Sequence, residues 1–217
     1  EGETVLELGC GWGGFARYAA ENYGVKVTSY NISDEQVKYA RELNEGYRVE
    51  IVHDDYRNAR GQYDKVVSIG MAEHVGYKNY DAFMKVGYDC LKPKGLFLVH
   101  TIGNLRSQKC TDPWLDTYIF PGSLIPSVTY ISQAAEGRFV LEDFHNFGAD
   151  YDKTLLAWYQ NFLDGWDEFK QELGDRFYRM WEYYLLMCAG SFRSRRNHLY
   201  QFVFSKDGVP GGYTPVR

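Results

Sequence analysis

The sequence predicts an α/β protein in which strands and helices alternate, so that a mainly parallel sheet is covered by helices on both faces. Three observations carry that expectation. An apolar run, Val5 to Leu8, passes straight into the glycine cluster Gly9-Cys10-Gly11-Trp12-Gly13-Gly14 and then into a helical segment, Phe15 to Tyr23. Strand, tight turn and helix N-terminus in that order open a βαβ unit, and glycines suit the turn because they allow positive φ and let a ligand approach bare backbone. Strand-like and helix-like segments continue to alternate as far as Val99. Among them Val66-Val67-Ser68-Ile69 is apolar enough to sit at the centre of a covered parallel sheet.

Taken in order, the second strand is read at Lys26 to Tyr30, and Ser33-Asp34-Glu35-Gln36 has the S-x-x-Q form of a capping box opening a helix to Asn44. Arg48 to His53 is the third strand, followed by the turn Asp54-Asp55-Tyr56-Arg57, whose acids serve equally as polar turn residues or as ligand contacts. Tyr63 to Ile69 is the fourth strand and runs into Gly70-Met71-Ala72-Glu73-His74-Val75-Gly76. A helix from Asp81 to Leu91 stops at the turn Lys92-Pro93-Lys94-Gly95, the fifth strand is Leu96 to Val99, and His100-Thr101-Ile102-Gly103 lies at its carboxyl end.

The rhythm then breaks. Asn104 to Gly137 is a long stretch with prolines at 113, 121 and 126, and loops of this length in a compact domain commonly act as lids. Phe139 to Phe147 is the sixth strand, interrupted by polar Glu142-Asp143 and His145-Asn146. Tyr151 to Leu173 is helical, with Leu155, Trp158, Tyr159, Phe162, Leu163 and Trp166 on one stripe, and Phe177, Met180, Trp181, Tyr184, Leu185 and Cys188 repeat that spacing. Both stripes read first as core. Leu199 to Phe204 is the seventh strand, and Asp207 to Arg217 is a Gly/Pro-rich tail.

The 217 residues suffice for one sizeable core, and one domain spanning residues 1–217 is expected. No apolar run approaches the roughly 20 residues of a membrane span, and a cytoplasmic protein is expected. Net charge of −5 argues against nucleic acid as a partner, although Arg193-Ser194-Arg195-Arg196 is a local basic cluster that could be a solvated turn or could face phosphate head groups. Cys10, Cys90, Cys110 and Cys188 form no C-x-x-C pair and read as reduced thiols, with no metal site expected. The chain starts at Glu1, just before the first strand and without Met, so a preceding segment is expected.

Gly9-x-Gly11-x-x-Gly14 matches the dinucleotide fingerprint, but the second strand ends in Asn31-Ile32-Ser33, without the acid that would hold a ribose diol. With Glu7 before it, Gly9-x-Gly11-x-Gly13 resembles instead the E/D-x-G-x-G-x-G loop of class I S-adenosylmethionine-dependent methyltransferases. That likeness implies a Rossmann-like, seven-stranded, mainly parallel sheet flanked by helices, with a lid insertion at about 104–137. Strand ends then bring Gly9 to Gly14, Glu73 and His100 to one crevice, the carboxylate and imidazole being candidates for acid/base or anion-holding work.

The ordered set Glu7 to Gly14, Gly70 to Gly76, Leu98 to Gly103, Asp112-Pro113-Trp114 with Tyr118 to Gly122, and Asn146 to Leu155 resembles the cyclopropane-fatty-acyl-phospholipid synthases over nearly the whole chain. Mycolic-acid cyclopropane synthases share the plan, but the later motifs are closer to the bacterial phospholipid enzymes. The resemblance implies transfer of a methylene carbon from S-adenosylmethionine to a cis double bond of an unsaturated phospholipid acyl chain, through a carbocation deprotonated by bound bicarbonate.

By the same resemblance Glu73, His100, the backbone of Ile102 and Tyr151 hold the bicarbonate. Glu7 is among the cofactor-binding residues, Gly9 and Gly11 serve the methionyl end of the cofactor, Asn31, Ile32 and Gln36 lie near its ribose and adenine, and Asp55 with Tyr56 beside the adenine. The family also uses a cysteine before the first strand, which no residue here matches. Work at the inner face of the membrane, peripherally bound, and a homodimer formed through the segment preceding Glu1 complete the expectations. Related methyltransferases giving methyl-branched or hydroxylated lipid, and a catalytically dead lipid-binding module, are the alternatives.

Overall fold

In β1 (Thr4–Leu8) successive side chains point to opposite faces, and both sets are buried, Val5 on one side and Leu6 and Leu8 on the other. A strand buried twice over needs helices above and below it. A computed structural model, describing residues 1–216, has that arrangement. Its strands are β1, β2 (Lys26–Asn31), β3 (Val49–His53), β4 (Tyr63–Ile69), β5 (Leu91–Asn104), β6 (Val140–Asn146) and β7 (Asn197–Ser205). They form one sheet in the order β3-β2-β1-β4-β5-β7-β6, in which β7 alone runs antiparallel to its neighbours. The mainly parallel seven-stranded sheet expected from the sequence is therefore present.

Helices α1 (Gly14–Tyr23) and α2 (Asp34–Leu43) cover one face, where Ala16 and Ala19 pack on Val5, Val27 and Val67. The short α3 (Ala72–Val75) leads into α4 (Tyr80–Cys90), which covers the other face together with α6 (Val128–Ala135). Leu6, Leu8, Phe83, Phe97, Ile131 and Phe202 meet there with essentially no exposure. Burying each such side chain contributes about 1.5–3 kcal/mol.

The stretch expected to be a long lid is shorter than its prolines suggested. Within it lie α5 (Pro113–Tyr118) and α6, and α6 is a covering helix of the core. Ser127 caps it by accepting from the Tyr130 N–H, and Ile131, Ala134 and Ala135 form its buried side. Eight residues are too few to establish a helical period against flanking proline and glycine. The insertion proper is thus 105–127.

The fifth strand extends past Val99 to Asn104, because β7 continues beside it after β4 has ended at the pair Ile69↔His100. His100 and Ile102 consequently lie inside a strand and share a face, while Thr101 and Gly103 turn toward the opposite one. The expected turn at 92–95 is a bulge within the same strand, where the register jumps from Tyr63↔Leu91 to Lys65↔Leu96. Of the tail, Arg217 lies outside the described residues.

The two aromatic stripes fall on α7 (Gly148–Arg193), whose helical run is broken at Gly174 with φ 69° and ψ 169°. The halves fold back on each other as an antiparallel hairpin. Arg193 bonds Asp152 at 2.9 Å, the Tyr159 hydroxyl donates to Glu182 at 2.6 Å, and the Phe162 and Tyr178 rings are 5.3 Å apart. The hairpin covers the exposed side of β5 and β7 through Leu155, Leu185, Ala189 and Phe192 against Leu199 and Ile102.

Gly174 and Gly190 both have open space where a Cβ would stand, but only Gly174 has positive φ. Gly174→Ala is expected to cost about 1–3 kcal/mol, whereas Gly190→Ala, in regular helix, should stabilise by about 0.5–1 kcal/mol. Urea unfolding of the two variants checks the pair. Equal effects of the same sign would contradict the hairpin turn at Gly174.

Candidate functional site

The loop between β1 and α1 is held in place by its own backbone and by one amide. The Gly9 and Cys10 N–H groups donate to the Tyr30 carbonyl at 3.1 and 3.2 Å, so the chain curls across the end of β2. Asn31 Nδ2 donates to the Gly11 carbonyl at 3.1 Å and to Gln36 Oε1 at 2.9 Å, and its Oδ1 accepts from the Ser33 N–H at 3.1 Å. Ser33 does cap α2, accepting from the Gln36 N–H, but the Gln36 side chain answers Asn31 and not Ser33. The capping box expected from S-x-x-Q is therefore half formed. A Cβ on Gly9 would stand 2.9 Å from Met71 Cγ, while one on Gly11 would meet nothing, because Gly11 faces a cavity.

That cavity, of about 570 Å³, is lined by Gly9, Gly11, Asn31, Ile32, Gln36, Asp55 and Tyr56. Every residue expected for the adenosyl cofactor lies there except Glu7. Glu7 is buried beneath the loop, where its Oε2 accepts from the Ser29 hydroxyl at 2.6 Å, and burial raises its pKa from 4.5 to about 7. Asp55 caps the single 3₁₀ turn Tyr56–Asn58 and takes both Arg57 guanidinium contacts, at 2.9 and 2.6 Å, which hold its carboxyl below the usual range. The turn and ligand functions are compatible there, since a carboxylate has about four acceptor positions.

Tyr30, Arg57, Met71 and His74 also line the cavity and were not assigned to the cofactor from sequence. Position at a strand's carboxyl end was the available signal for Met71 and His74. Tyr30 stands at the carboxyl end of the second strand and carried the same signal, while Arg57 carried none that separates it from an ordinary turn residue.

Glu73 and His74 are adjacent on α3 and so point about 100° apart. His74 faces the cofactor cavity, and its ring lies 6.1 Å from Phe120 of the insertion. Glu73 turns inward toward β5 and is 7% exposed. Its Oε1 accepts from the Ile102 N–H at 2.6 Å, and its Oε2 is buried without a partner. Burial raises the pKa of this carboxyl, while its own backbone N–H, the Ile102 N–H and the nearby Thr101 hydroxyl, whose proton is given to the Ile102 carbonyl at 3.0 Å, act in the opposite sense.

Tyr151 lies near enough that the Glu73 charge adds to the effect of burial in raising its phenol above the usual range. His100 has its ring 6.4 Å from Phe147, and burial lowers its pKa, so it is neutral at pH 7. Glu73, Ile102 and Tyr151 thus come together, and His100 borders them through Phe147, with the Ile102 N–H already engaged by Glu73.

The wall around this group is aromatic. Phe120 is 5.9 Å from Tyr184, Tyr151 is 4.8 Å from Phe192, and Trp114 of α5 is 4.7 Å from Tyr183 of the hairpin. Insertion and hairpin therefore close over the strand ends together. Cys188 lies on the same wall as a half-buried thiol pushed up to about 11 by burial, and all four cysteines are unpaired. Among the described residues no helix is long and apolar enough to cross a membrane.

Comparison with known proteins agrees with this fold. The family described as mycolic acid cyclopropane synthetase matches residues 1–202. The cyclopropane-fatty-acyl-phospholipid synthase of Escherichia coli (strain K12) is 51% identical over 216 residues, covering 100% of this chain and 56% of that protein. The chain thus spans little more than half the length of that relative. Sphingolipid C9-methyltransferase B of Emericella nidulans is 32% identical over 219 residues, covering 95% of this chain and 43% of that protein. Among solved structures, a mycolic acid cyclopropane synthase complexed with SAH and CTAB superposes with a TM-score of 0.86 at 27% identity, covering 94% of this chain and 78% of that one.

Glu7→Gln keeps a partner for Ser29 and removes a titration. The folded pKa of Glu7 is raised, so its contribution to stability is complete below pH 4.5 and is lost as pH rises through about 7. Relative to the glutamine variant, the native chain should lose about 3 kcal/mol across that window, because each tenfold change in proton affinity is worth about 1.4 kcal/mol. Urea midpoints of both proteins at pH 5 and pH 8 measure most of the change, and a pH-independent difference would contradict a buried, neutral Glu7.

Proposed function

The chain belongs to the mycolic acid cyclopropane synthetase family, and from that premise we propose that it carries the catalytic site for closing a cyclopropane ring on an unsaturated phospholipid acyl chain, with S-adenosylmethionine as the carbon source. The observation that supports this most directly is Glu73, a buried carboxyl with one oxygen held by Ile102 and the other without a partner, beside Tyr151. A partnerless buried oxygen costs about 1–3 kcal/mol, and a small anion carrying a hydroxyl, such as bicarbonate, supplies the missing hydrogen bond. The name of the Escherichia coli relative and its 51% identity support the substrate class.

When bound, S-adenosylmethionine supplies an electrophilic methyl group and bicarbonate a base. Gly9 and Gly11 offer bare backbone to the methionyl end, Ile32 and Gln36 border the ribose and adenine, and Asp55 with Tyr56 border the adenine. Asn31 positions the others, since its amide is engaged by Gly11 and Gln36.

Glu73, kept in contact with β5 through Ile102, orients the small anion by a single shared proton. Two bare anions would repel each other. Neutral His100 and the protonated Tyr151 phenol hold the anion without adding a net charge. Phe147, Tyr151, Phe120 and Tyr184 exclude water, which would quench a carbocation, and their ring faces stabilise positive charge. Positioning in a dry site supplies most of the acceleration, because an alkene is a weak nucleophile. The substrate is reached at the membrane surface, peripherally, on the cytoplasmic face.

The sphingolipid C9-methyltransferase relative supports a second reading, in which the product is methyl-branched and no ring closes. Mass spectrometry of lipid recovered after incubation with unsaturated phospholipid separates the two, and a methyl-branched or hydroxylated product would exclude ring closure. Glu73→Gln and His100→Ala are each expected to lower ring formation by about 100-fold or more, while calorimetric binding of S-adenosylmethionine is retained. Unchanged turnover in both variants would remove the anion site from the mechanism.

A further inference from the structure

A second cavity, of about 960 Å³, opens between the insertion and the start of β7. Its mouth carries three cations, Arg106, Lys109 and Arg196, and its inner side is formed by Leu115, Ile125, Met187 and Cys188. The register of the sheet brings the cations together. Asn104 pairs with Asn197, so the chain leaving β5 toward Arg106 and the chain entering β7 from Arg196 run side by side.

None of the three cations has an ion-pair partner among the described residues, whereas Arg193 nearby is bound to Asp152 at 2.9 Å. The one acid in the lining, Asp112, is committed to capping α5, accepting from the N–H groups of Trp114 and Leu115. Three unpaired cations around one opening are a local departure in a chain of net charge −5.

The inner end of this cavity abuts the anion site. Cys188 packs in the cluster that includes Tyr151 and Ile102, and Ile125 follows Leu124, whose N–H donates to the Glu73 carbonyl at 2.7 Å. A cationic mouth leading to an apolar interior beside the reacting groups matches an amphiphile that enters tail first. We infer that Arg106, Lys109 and Arg196 bind the phosphate diester of the lipid substrate while its acyl chain occupies the cavity. The inference rests on the acyl-lipid reading above and adds to it a head-group site. Arg and Lys recognise phosphate through charge-assisted hydrogen bonds, Arg in bidentate fashion.

The test compares the natural protein with its R106Q/K109Q/R196Q variant on two micelle-dispersed probes that share one unsaturated acyl chain, a phosphatidylglycerol and a methyl ester. S-adenosylmethionine binding by calorimetry reports whether the variant is folded. The expected result is a rise of about tenfold or more in KM for phosphatidylglycerol, with kcat within about twofold and the methyl ester unaffected.

Equal changes for both probes, or none, would overturn the inference. So would loss of binding to phosphatidylglycerol vesicles with micellar KM unchanged, which would place the cations at the bilayer surface. Competition by inorganic phosphate as strong as that of the lipid would make this a free-anion site and overturn it too. If the natural protein converts neither probe, the ring-forming reading fails by itself. Equilibrium binding of the two probes then decides the phosphate site independently, a preference for phosphatidylglycerol that the variant lacks supporting it and equal binding by both proteins overturning it.

Discussion

The antiparallel pairing of β7 on β5, from Leu96↔Ser205 to Asn104↔Asn197, is the constraint on which the site depends. Without it β5 would end where β4 does, at His100. With it the strand runs on, and Ile102 offers its N–H to Glu73 at 2.6 Å while its side chain seats the helical hairpin. The pair Asn104↔Asn197 also sets the insertion and the β7 entrance against each other, which creates the second cavity. Gly103 shows how closely this region is packed, since a Cβ there would lie 1.9 Å from the Tyr200 ring.

Low polarity is the second organising influence. Burial pushes Glu73 and Glu7 upward and His100 downward, and it holds Tyr151 and Cys188 in their protonated forms. Each shift favours the uncharged state of its group. Any charge placed in such a setting acts at low effective dielectric. The open side belongs to the cofactor cavity, where Asp55 and Arg57 remain paired and wet.

The insertion and the hairpin are joined by stacking. Trp114 and Phe120 meet Tyr183 and Tyr184, and His74 meets Phe120. The aromatic excess of the last third, which periodicity assigned to core, therefore serves two purposes. Leu155, Leu185 and Phe192 are core against β7, while Tyr151 lies beside Glu73 and Tyr184 packs between Tyr151 and Phe120.

The order of strands and helices through Val99, the glycine turn and the two arms of the hairpin were legible in the sequence, while the grouping of Asn31, Ile32, Gln36, Asp55 and Tyr56 with Gly9 and Gly11 around one cavity came from motif resemblance. Each of the first three is a local matter, because period, caps and glycines act over a few residues. Motif resemblance also brought out Glu73, His100, Ile102 and Tyr151, which lie far apart in the chain. What the sequence could not decide was how these groups are partnered. That the Ile102 N–H is taken by Glu73, that Asn31 braces the loop, that α6 belongs to the core, and that Arg106 and Arg196 share one opening all follow from strand register and long-range packing. These contacts join residues tens of positions apart, and no local period records them.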